Sequence, residues 1–288
     1  MKNNLKIWQH QLSLLKSTEL RLKRFLLLII ALAFVFPAFS KEKPFTLEPV
    51  KDGVLIGTGV LLSGGDLILD NVLKVNRCEY NGEIYNKDNT NAFDRFFMHS
   101  YSESRDKIAD LTMAASMATG FGFPFVSLVF EKDEEWLTAF SMYAETLLIA
   151  NGFKETLKLC VNRARPYMYY DSETFPEEDL EDGDFVNSFP SGHSTMAFAC
   201  ATYTSYVFSK YYPDSKWKIP VIAASYGLAA GTAALRVSSG NHFMTDVLFG
   251  AVTGSAIGFL VPWLHTFNEN HDLKLALYGN GLSFKLDI

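Results

Sequence analysis

The chain has 288 residues, of which 48% are hydrophobic and 14% aromatic, and its 26 basic and 32 acidic side chains give a formal net charge of −6. This composition can fill the core of one large domain or two ordinary ones, and it excludes an intrinsically disordered chain, which would have few apolar residues and a high charge density. The acidic balance argues against a nucleic-acid binder, because neutralising phosphates needs a basic surface.

The N-terminal 40 residues are typical of an export signal. A segment rich in Lys and Arg is followed by an uncharged run, 25–40, that ends in Ala38-Phe39-Ser40. A basic segment, an apolar segment and small residues at this spacing describe a secretory signal peptide, and the long basic segment also fits an uncleaved signal anchor. In either case we expect the basic end to stay in the cytoplasm and the rest to be exported.

Residues 41–111 are predicted to form an N-terminal region of helix and loop. The apolar run 54–63 is followed by Gly64-Gly65-Asp66, so it is short for a membrane span and fits a packed or interfacial helix better. The next segment, 71–111, is polar and aromatic and contains an Asn-Gly turn signal at 81–82. It predicts a loop with a short amphipathic helix around residues 93–97. The widely spaced Cys78, Cys160 and Cys200 indicate neither a disulfide framework nor a paired-cysteine zinc site.

Residues 112–265 are predicted to form a helical core, followed by a C-terminal tail at 266–288. Four runs have no charge and a fifth is interrupted only by Glu145; in chain order they are 112–130, 136–153, 194–209, 219–235 and 247–264. Each is near the length of about 20 residues that spans a bilayer. Gly227 with Gly231, and Gly250 with Gly254, have the spacing that permits close helix packing. We therefore predict an all-α bundle with about five to six membrane helices, and a turn and short strand in the tail after Asn280-Gly281.

Three clusters between residues 158 and 246 concentrate the groups that bind a phosphate ester. In the first, Lys158 is followed after six residues by Arg165-Pro166, so that both cations can project from one face of a helix that the proline ends. The second cluster, Pro190-Ser191-Gly192-His193, opens an apolar helix. The N–H groups of a helix start and a hydroxyl form an anion site, and glycine lets the backbone approach the anion closely.

The third cluster pairs a histidine with a carboxylate. Arg236 is followed after five residues by His242, and Asp246 lies four residues further on. On a helical turn this spacing predicts that the carboxylate accepts a hydrogen bond from the imidazole, which would leave the other ring nitrogen free to attack. Taken singly, each cluster is also explained by a solvated helix face, a helix cap or a surface ion pair. Together and in this order, they point to a phosphate site.

The three clusters closely resemble the motifs of the type 2 phosphatidic acid phosphatase and vanadium haloperoxidase superfamily. The motifs run from Lys158 to Asp246, and the hydrophobic flanks extend the resemblance over roughly the region 50–265. The chain departs from the pattern at Leu235, where the family usually has serine before the arginine of the third motif; Ser238 and Ser239 lie nearby. The resemblance implies a helical bundle in which phosphate is bound by Lys158, Arg165, Ser191, Gly192 and Arg236.

The resemblance also implies the catalytic roles. His242 would attack phosphorus and form a phosphohistidine, Asp246 would orient His242, and His193 would protonate the leaving oxygen and later activate water. Phosphoryl transfer depends mainly on positioning and charge neutralisation, which three cations supply. Neither a metal nor another cofactor is implied, since no carboxylates cluster at the motifs. The lead prediction is thus a metal-independent phosphatase acting on a lipid phosphate or diphosphate at a membrane, with no nucleic-acid partner.

The active site is predicted to face the periplasmic side of a bacterial-type envelope. The loop 210–218 contains three lysines and one aspartate, which marks it as cytoplasmic, so the motifs at the other ends of its flanking helices would face outward. Three alternatives stay open: a soluble exported acid phosphatase, consistent with the modest mean hydropathy of +0.06; a vanadate-dependent haloperoxidase; and a membrane binding protein that keeps a phosphate pocket.

Most of the net negative charge comes from one segment between the first two motifs. Its acidic residues are Asp171, Glu173, Glu177, Glu178, Asp179, Glu181, Asp182 and Asp184. Without these eight charges the net charge would change from −6 to +2. We predict a solvated, mobile exported loop, with a cation site as the alternative.

Overall fold

The computed structural model describes residues 43–69, 73–75, 77–131, 134–171, 175–266, 273–278 and 281–286. Within these residues the chain forms nine α-helices and one β-hairpin. They are α1 (Pro49–Leu67), α2 (Ala92–Phe97), α3 (Glu103–Thr119), α4 (Gly122–Val126), α5 (Glu135–Cys160), α6 (Glu177–Asp182), α7 (Gly192–Tyr211), α8 (Lys218–Ser238), α9 (Met244–Leu264), β1 (Leu273–Tyr278) and β2 (Gly281–Leu286). The predicted helical bundle is confirmed. The predicted export signal at 1–40 lies outside the described residues.

Helix α7 is the central element of the bundle. It packs against α3, α5, α8 and α9, while α1 packs on the outer side of α5. The largest core cluster lies between α5 and α7 and includes Tyr143, Tyr203 and Cys200, all almost fully buried. The Tyr203 hydroxyl donates to the Ala139 carbonyl at 2.5 Å, which satisfies a polar group inside this apolar layer. The bundle thereby holds the N-terminus of α7, where the second motif lies, in a rigid frame.

Three glycines of α9 allow that helix to approach α7 closely. A Cβ on Gly250 would lie 2.8 Å from the Ser191 carbonyl oxygen, and a Cβ on Gly254 or Gly258 would clash with the backbone of α7 as well. The predicted packing role of Gly250 and Gly254 is therefore confirmed. At Gly227 and Gly231 of α8 an added Cβ would meet nothing within 4 Å among the described residues, so the same prediction is wrong for that pair.

Helix α1 is longer than predicted. It runs through Gly64 and Gly65 to Leu67, although each glycine costs about 1 kcal/mol relative to alanine within a helix. Packing on α5 holds this end of the helix, since the Ser63 hydroxyl donates to the Leu148 carbonyl at 3.0 Å. The predicted short helix around residues 93–97 is confirmed as α2.

The uncharged run 112–130 does not form one straight helix. Helix α3 ends at Thr119, and the axis bends by 50° before the segment Gly122–Val129. Gly120 lies against the Tyr143 ring, which leaves no space for a side chain, and Pro124 lacks the N–H that would continue the helical ladder. These two residues account for the break.

Among the described residues, two helices are long and apolar enough to cross a membrane. They are α8 and α9, and the bent pair of α3 with the segment Gly122–Val129 makes a third if it is one span. This is fewer than the predicted five to six. Helix α5 carries charged side chains such as Glu145 and Lys154, and α7 is rich in serine, threonine and tyrosine, so both are too polar to qualify by composition.

The predicted strand in the tail is confirmed and has a partner. Strands β1 and β2 pair antiparallel, with Leu273 opposite Leu286 and Tyr278 opposite Gly281. Gly281 of the predicted Asn-Gly turn is already the first residue of β2, where it pairs with Tyr278.

Candidate active site

The three motifs meet at one end of the bundle. Lys158 lies in the last turn of α5, His193 in the first turn of α7, Arg236 in the last turn of α8, and His242 in the connection to α9. Burial, and after it the positive charges of nearby cations, together lower the pKa of His193 to about 2. These cations are Arg236, Arg165, Lys158 and Lys154. His193 thus lies within the field of all three predicted phosphate-binding cations and of one more lysine.

The start of α7 is built as an anion site that contains a lysine the motifs did not predict. The Ser191 hydroxyl accepts from the Ser194 N–H at 3.4 Å, so Ser191 caps the helix. A Cβ on Gly192 would lie 3.2 Å from Cδ and 3.5 Å from Nζ of Lys154, which shows how closely this buried side chain covers the glycine. Lys154 precedes Lys158 by one helical turn, and that spacing was a usable sequence signal.

Backbone pairing ties the first motif to the second. The Arg165 N–H donates to the Phe185 carbonyl at 2.8 Å, and the Ser188 N–H donates to the Arg163 carbonyl at 2.9 Å. Arg165 pairs with Asp184 of the acidic segment, whereas Arg163 pairs with Asp246.

His242 is held in one tautomer. It is 2% exposed, and its Nδ1 lies 2.7 Å from the Ser188 carbonyl oxygen. A carbonyl can only accept, so Nδ1 carries the proton and Nε2 has the free lone pair. Burial, with the positive charges of Arg236 and Arg165, holds the pKa of His242 well below 6.5, so the ring is neutral. The Nε2 atom lies 3.3 Å from Nη2 of Arg236.

Asp246 does not accept a hydrogen bond from His242, which corrects the expectation from the i, i+4 spacing. Its Oδ2 lies 3.9 Å from Nδ1 of His242. Instead Oδ2 accepts from the Ser188 hydroxyl at 2.6 Å and from the Phe243 N–H at 2.8 Å. Asp246 lies in the first turn of α9, so its carboxylate turns back to cap that helix and cannot also reach the ring. The hydrogen-bonded connection from Asp246 to His242 therefore runs through Ser188, whose hydroxyl Asp246 binds and whose carbonyl binds the ring.

Arg163 connects two buried carboxylates and was not singled out from the sequence. It forms an ion pair with Asp246, and its Nη2 lies 2.6 Å from Oδ2 of Asp94. Both carboxylates are fully buried, and Asp94 also accepts from the N–H and the hydroxyl of Thr245, at 2.9 and 2.7 Å. The guanidinium lies 4.2 Å from the centre of the Phe243 ring. Arg163 thus anchors the start of α9, on which the third motif depends.

The binding-site cations have protein partners. Arg165 pairs with Asp184 and donates to Asn241 Oδ1 at 3.2 Å, and Arg236 pairs with Asp106 of α3. Lys158 Nζ lies 3.2 Å from Oε2 of Glu155. The third motif shows one open donor: Nε of Arg236 is buried and has no hydrogen-bond partner among the described residues. A buried, unsatisfied N–H is costly, and a phosphate oxygen would satisfy it.

Two hydroxyls near the departure at Leu235 do not replace the family's serine. The Ser238 hydroxyl donates to the Leu235 carbonyl at 3.2 Å, and the Ser239 hydroxyl donates to the Arg236 carbonyl at 3.1 Å. Both hydroxyls therefore cap the end of α8. Gly240 follows with a φ of +79° and lies against the backbone of Ser100, so this turn needs glycine.

The acidic segment between the first two motifs is not simply a solvated loop. It contains the short helix α6, and two of its carboxylates turn inward. Asp184 pairs with Arg165, and the buried Tyr167 hydroxyl donates to Asp179 at 2.6 Å. Although burial opposes ionisation, the guanidinium of Arg165 holds the pKa of Asp184 below its usual value. For these two residues the prediction of a solvated loop is wrong, because they neutralise a buried arginine.

The second histidine also has a carboxylate partner. Nε2 of His193 lies 2.7 Å from Oδ1 of Asp110, which is on α3. Asp106 and Asp110 are one helical turn apart, so α3 presents one carboxylate to Arg236 and the other to His193. The site therefore combines a cluster of cations, a neutral histidine whose Nε2 lone pair faces Nη2 of Arg236 and a second histidine beside a carboxylate. This set can bind a phosphate, attack it and exchange a proton.

Residues 139–270 match the PAP2 superfamily. The chain is 28% identical over 167 residues to a lipid A 1-phosphatase of Porphyromonas gingivalis, which covers 57% of this chain and 32% of that protein. It is 27% identical over 125 residues to a lipid A 1-phosphatase of Rhizobium johnstonii, which covers 43% of this chain and 46% of that protein. The chain thus spans a third to a half of the length of these curated relatives.

One solved structure resembles the chain. It is the crystal structure of a transmembrane PAP2-type phosphatidylglycerolphosphate phosphatase from Bacillus subtilis. The match has 20% sequence identity and a TM-score of 0.41, and it covers 74% of this chain and 95% of that one.

Proposed function

Because residues 139–270 form a domain of the PAP2 superfamily, we propose that this protein is a membrane phosphatase that hydrolyses a lipid phosphate or diphosphate ester. One observation carries the proposal: His242 is buried and neutral, and the Ser188 carbonyl fixes its tautomer so that the Nε2 lone pair faces the arginine of the third motif. A residue that only bound phosphate would need a donor at this position, whereas a lone pair suits a nucleophile.

In the first step the phosphate binds among the cations and His242 attacks. Nε2 forms a bond to phosphorus while the bond from phosphorus to the ester oxygen breaks, and His193 gives its proton to the departing oxygen. Arg236, whose Nε has no hydrogen-bond partner among the described residues, neutralises the charge on the phosphoryl oxygens together with Lys158 and Arg165. The N–H groups at the start of α7 bind the same oxygens, with the Ser191 hydroxyl beside them.

In the second step water hydrolyses the phosphohistidine. His193 accepts a proton from the water, the water oxygen bonds to phosphorus, and the bond to Nε2 breaks, which restores the lone pair of His242. His193 must be protonated in the first step, although its pKa in the free protein is about 2. A bound phosphate dianion cancels the field of the surrounding cations and so raises that pKa, which couples protonation of the acid to substrate binding.

Ser188 and Asp246 are positioning residues in this mechanism. The Ser188 carbonyl holds Nδ1, and Asp246 holds the Ser188 hydroxyl at 2.6 Å. When the phosphohistidine forms, the ring becomes positively charged, and the buried carboxylate 3.9 Å from Nδ1 stabilises that charge. Neither step uses a metal ion. We therefore expect full turnover in EDTA, measured well below the unfolding temperature, and EDTA-sensitive chemistry would contradict this part of the proposal.

The substrate class follows from the relatives and from the apolar helices. Both curated relatives are lipid A 1-phosphatases, so a lipid A type phosphate is the first substrate to test. Within the part of the chain that the structure describes, two to three helices could cross a membrane, and the lysine-rich loop 210–218 lies at the end of α7 opposite the motifs. We propose that the site faces the periplasmic side. Phosphate release from lipid A, phosphatidate, phosphatidylglycerophosphate, undecaprenyl diphosphate and a soluble aryl phosphate should favour the lipids.

The nucleophile is tested by trapping the phosphoenzyme. Acid-stable trapping fails for phosphohistidine, so the reaction is quenched in base and the His242 peptide is analysed by mass spectrometry for an added phosphate. We expect the adduct in the wild type and neither adduct nor turnover in His242→Ala. The exposed His99 provides the control, and His99→Ala should keep both. Normal turnover in a folded His242→Ala protein would refute the mechanism.

A further inference from the structure

Three metal-ligating side chains meet far from the active site. Asp52 of α1, Glu145 of α5 and His265, which directly follows α9, each place one ligand atom within 4.8 Å of the others. Nε2 of His265 lies 3.1 Å from Oδ1 of Asp52 and 3.3 Å from Oε2 of Glu145. Asp246 and His265 are at opposite ends of α9, nineteen residues apart, which corresponds to about 28 Å of helix. This cluster therefore plays no part in the phosphoryl transfer.

The three ligand atoms of this cluster all carry lone pairs that accept hydrogen bonds, and they face one another. Nδ1 of His265 lies 2.8 Å from the Val261 carbonyl oxygen, and a carbonyl can only accept, so Nδ1 carries the proton of the neutral ring. The Nε2 lone pair then points toward two carboxylates. A histidine whose other ring nitrogen donates to a backbone carbonyl is oriented in the way that metal-binding histidines are. The arrangement needs a cation between the three ligand atoms.

Glu145 provides an independent observation. Its side chain is fully buried in the middle of α5, and neither carboxylate oxygen has a hydrogen-bond partner among the described residues. Burying a carboxylate is very costly unless it is paired with a cation or bound to a metal. Lys51, whose charge acts on Glu145, is itself bound by the Thr46 and Leu264 carbonyls and by Glu48, at 3.3–3.4 Å. A cation at this position would give the Glu145 carboxylate the partner that hydrogen bonds do not supply.

We propose that Asp52, Glu145 and His265 bind a divalent metal ion of the zinc type. One imidazole and two carboxylates are ligands that zinc accepts, and tetrahedral ligands at 2.0–2.1 Å lie about 3.3 Å from one another. The distances of 3.1 and 3.3 Å from Nε2 match that edge. The Asp52 side chain keeps 14% exposure, which gives the ion a route of entry.

The ion would have a structural role. Its ligands come from α1, α5 and the end of α9, so it would fasten α1 to the bundle at the end remote from the active site. A metal bound only by the folded state stabilises that state by a free energy that rises with the logarithm of its concentration relative to Kd. Metal removal should accordingly lower the unfolding temperature and leave phosphate release at low temperature unchanged.

The proposal is tested on the full chain, purified in detergent through a tag without histidines and stripped of metal. Cobalt(II) is added, because it replaces zinc and shows visible absorption when tetrahedral. The wild type should bind one equivalent, which one equivalent of Zn²⁺ displaces, and Zn²⁺ should raise the unfolding temperature. If the wild type binds no cobalt, protons satisfy the cluster and the proposal is wrong.

Variants locate the ion. Glu145→Gln and His265→Gln should weaken metal binding by more than about 100-fold, since even losses outside the ligand shell cost 10–100-fold. Glu134→Gln, an exposed residue next to the start of α5, should bind as the wild type does. Asp52→Asn gives the same test at a less buried position, in case a core variant fails to fold. Wild-type cobalt binding in folded Asp52→Asn or Glu145→Gln protein would overturn the assignment.

Discussion

The contact between α9 and α7 makes a single methyl group a test of how the site is held. A Cβ added at Gly250 would lie 2.8 Å from the Ser191 carbonyl oxygen and 2.9 Å from Oγ1 of Thr195. Ordinary van der Waals contact begins near 3.4 Å, so the two helices must separate by about 0.6 Å to admit the methyl group. The movement would act directly on Ser191, which caps α7 and belongs to the proposed phosphate site.

The magnitude follows from two opposing effects. Replacing glycine by alanine within a helix gains about 1 kcal/mol, whereas overpacking of a tight contact costs about 1–3 kcal/mol. We expect Gly250→Ala to change the free energy of unfolding by between about 0 and 2 kcal/mol in the destabilising direction. Because a 1 Å misplacement can cost about 100-fold in rate, a shift of about 0.6 Å should lower kcat about tenfold.

The chain supplies a matched control at Gly227 of α8. An added Cβ there meets nothing within 4 Å, so Gly227→Ala keeps the gain in helix propensity without the clash. The assays are thermal unfolding in detergent and phosphate release from a lipid phosphate. The unfolding free energies of the two variants should differ by about 1–3 kcal/mol, and only Gly250→Ala should lose activity. Equal stability and equal activity in the two variants would refute the close contact as the element that positions Ser191.

Two further perturbations test the electrostatics. Arg163→Met leaves the fully buried Asp94 and Asp246 without their common cation and should destabilise the fold by about 3–5 kcal/mol. Arg95→Met serves as the control, because the exposed ion pair of Arg95 with Asp88 contributes less than about 1 kcal/mol. Equal losses in thermal unfolding for the two variants would contradict this account. Tungstate, a stable dianion that mimics phosphate, should raise the depressed pKa of His193 on binding and so take up a proton. The inhibition constant of tungstate should then fall by up to about tenfold per pH unit as the pH decreases from about 8 to 6. An inhibition constant that does not change with pH would argue against this coupling.

The residues of the three motifs could be predicted because their information is local. A proline or glycine at a helix boundary, a cap residue and a seven-residue spacing determine which side chains share a helix face whatever the rest of the fold does. In the tail, the alternation of apolar and polar residues that predicted a strand is local information of the same kind. Lys154 was within reach of this reasoning, since it is one turn from Lys158 on the same helix.

The partners of those residues could not be predicted in this way. The spacing of His242 and Asp246 allowed a hydrogen bond, but capping of α9 turns the carboxylate to Ser188, 58 residues earlier in the chain. The carboxylates that face Arg236 and His193 come from α3, 130 and 83 residues away. These contacts depend on how the helices cross, and crossing depends on the whole set of packed side chains.

The sequence by itself determined the helical class and the three motifs that we propose bind a phosphate, because both are expressed in spacing along one helix or across one turn. Only the tertiary structure decided which tautomer His242 holds, which carboxylates neutralise the arginines and that Asp52 meets His265 across 213 residues. A buried polar group must find a partner in three dimensions, and the chain can supply that partner from any helix that the fold brings within reach.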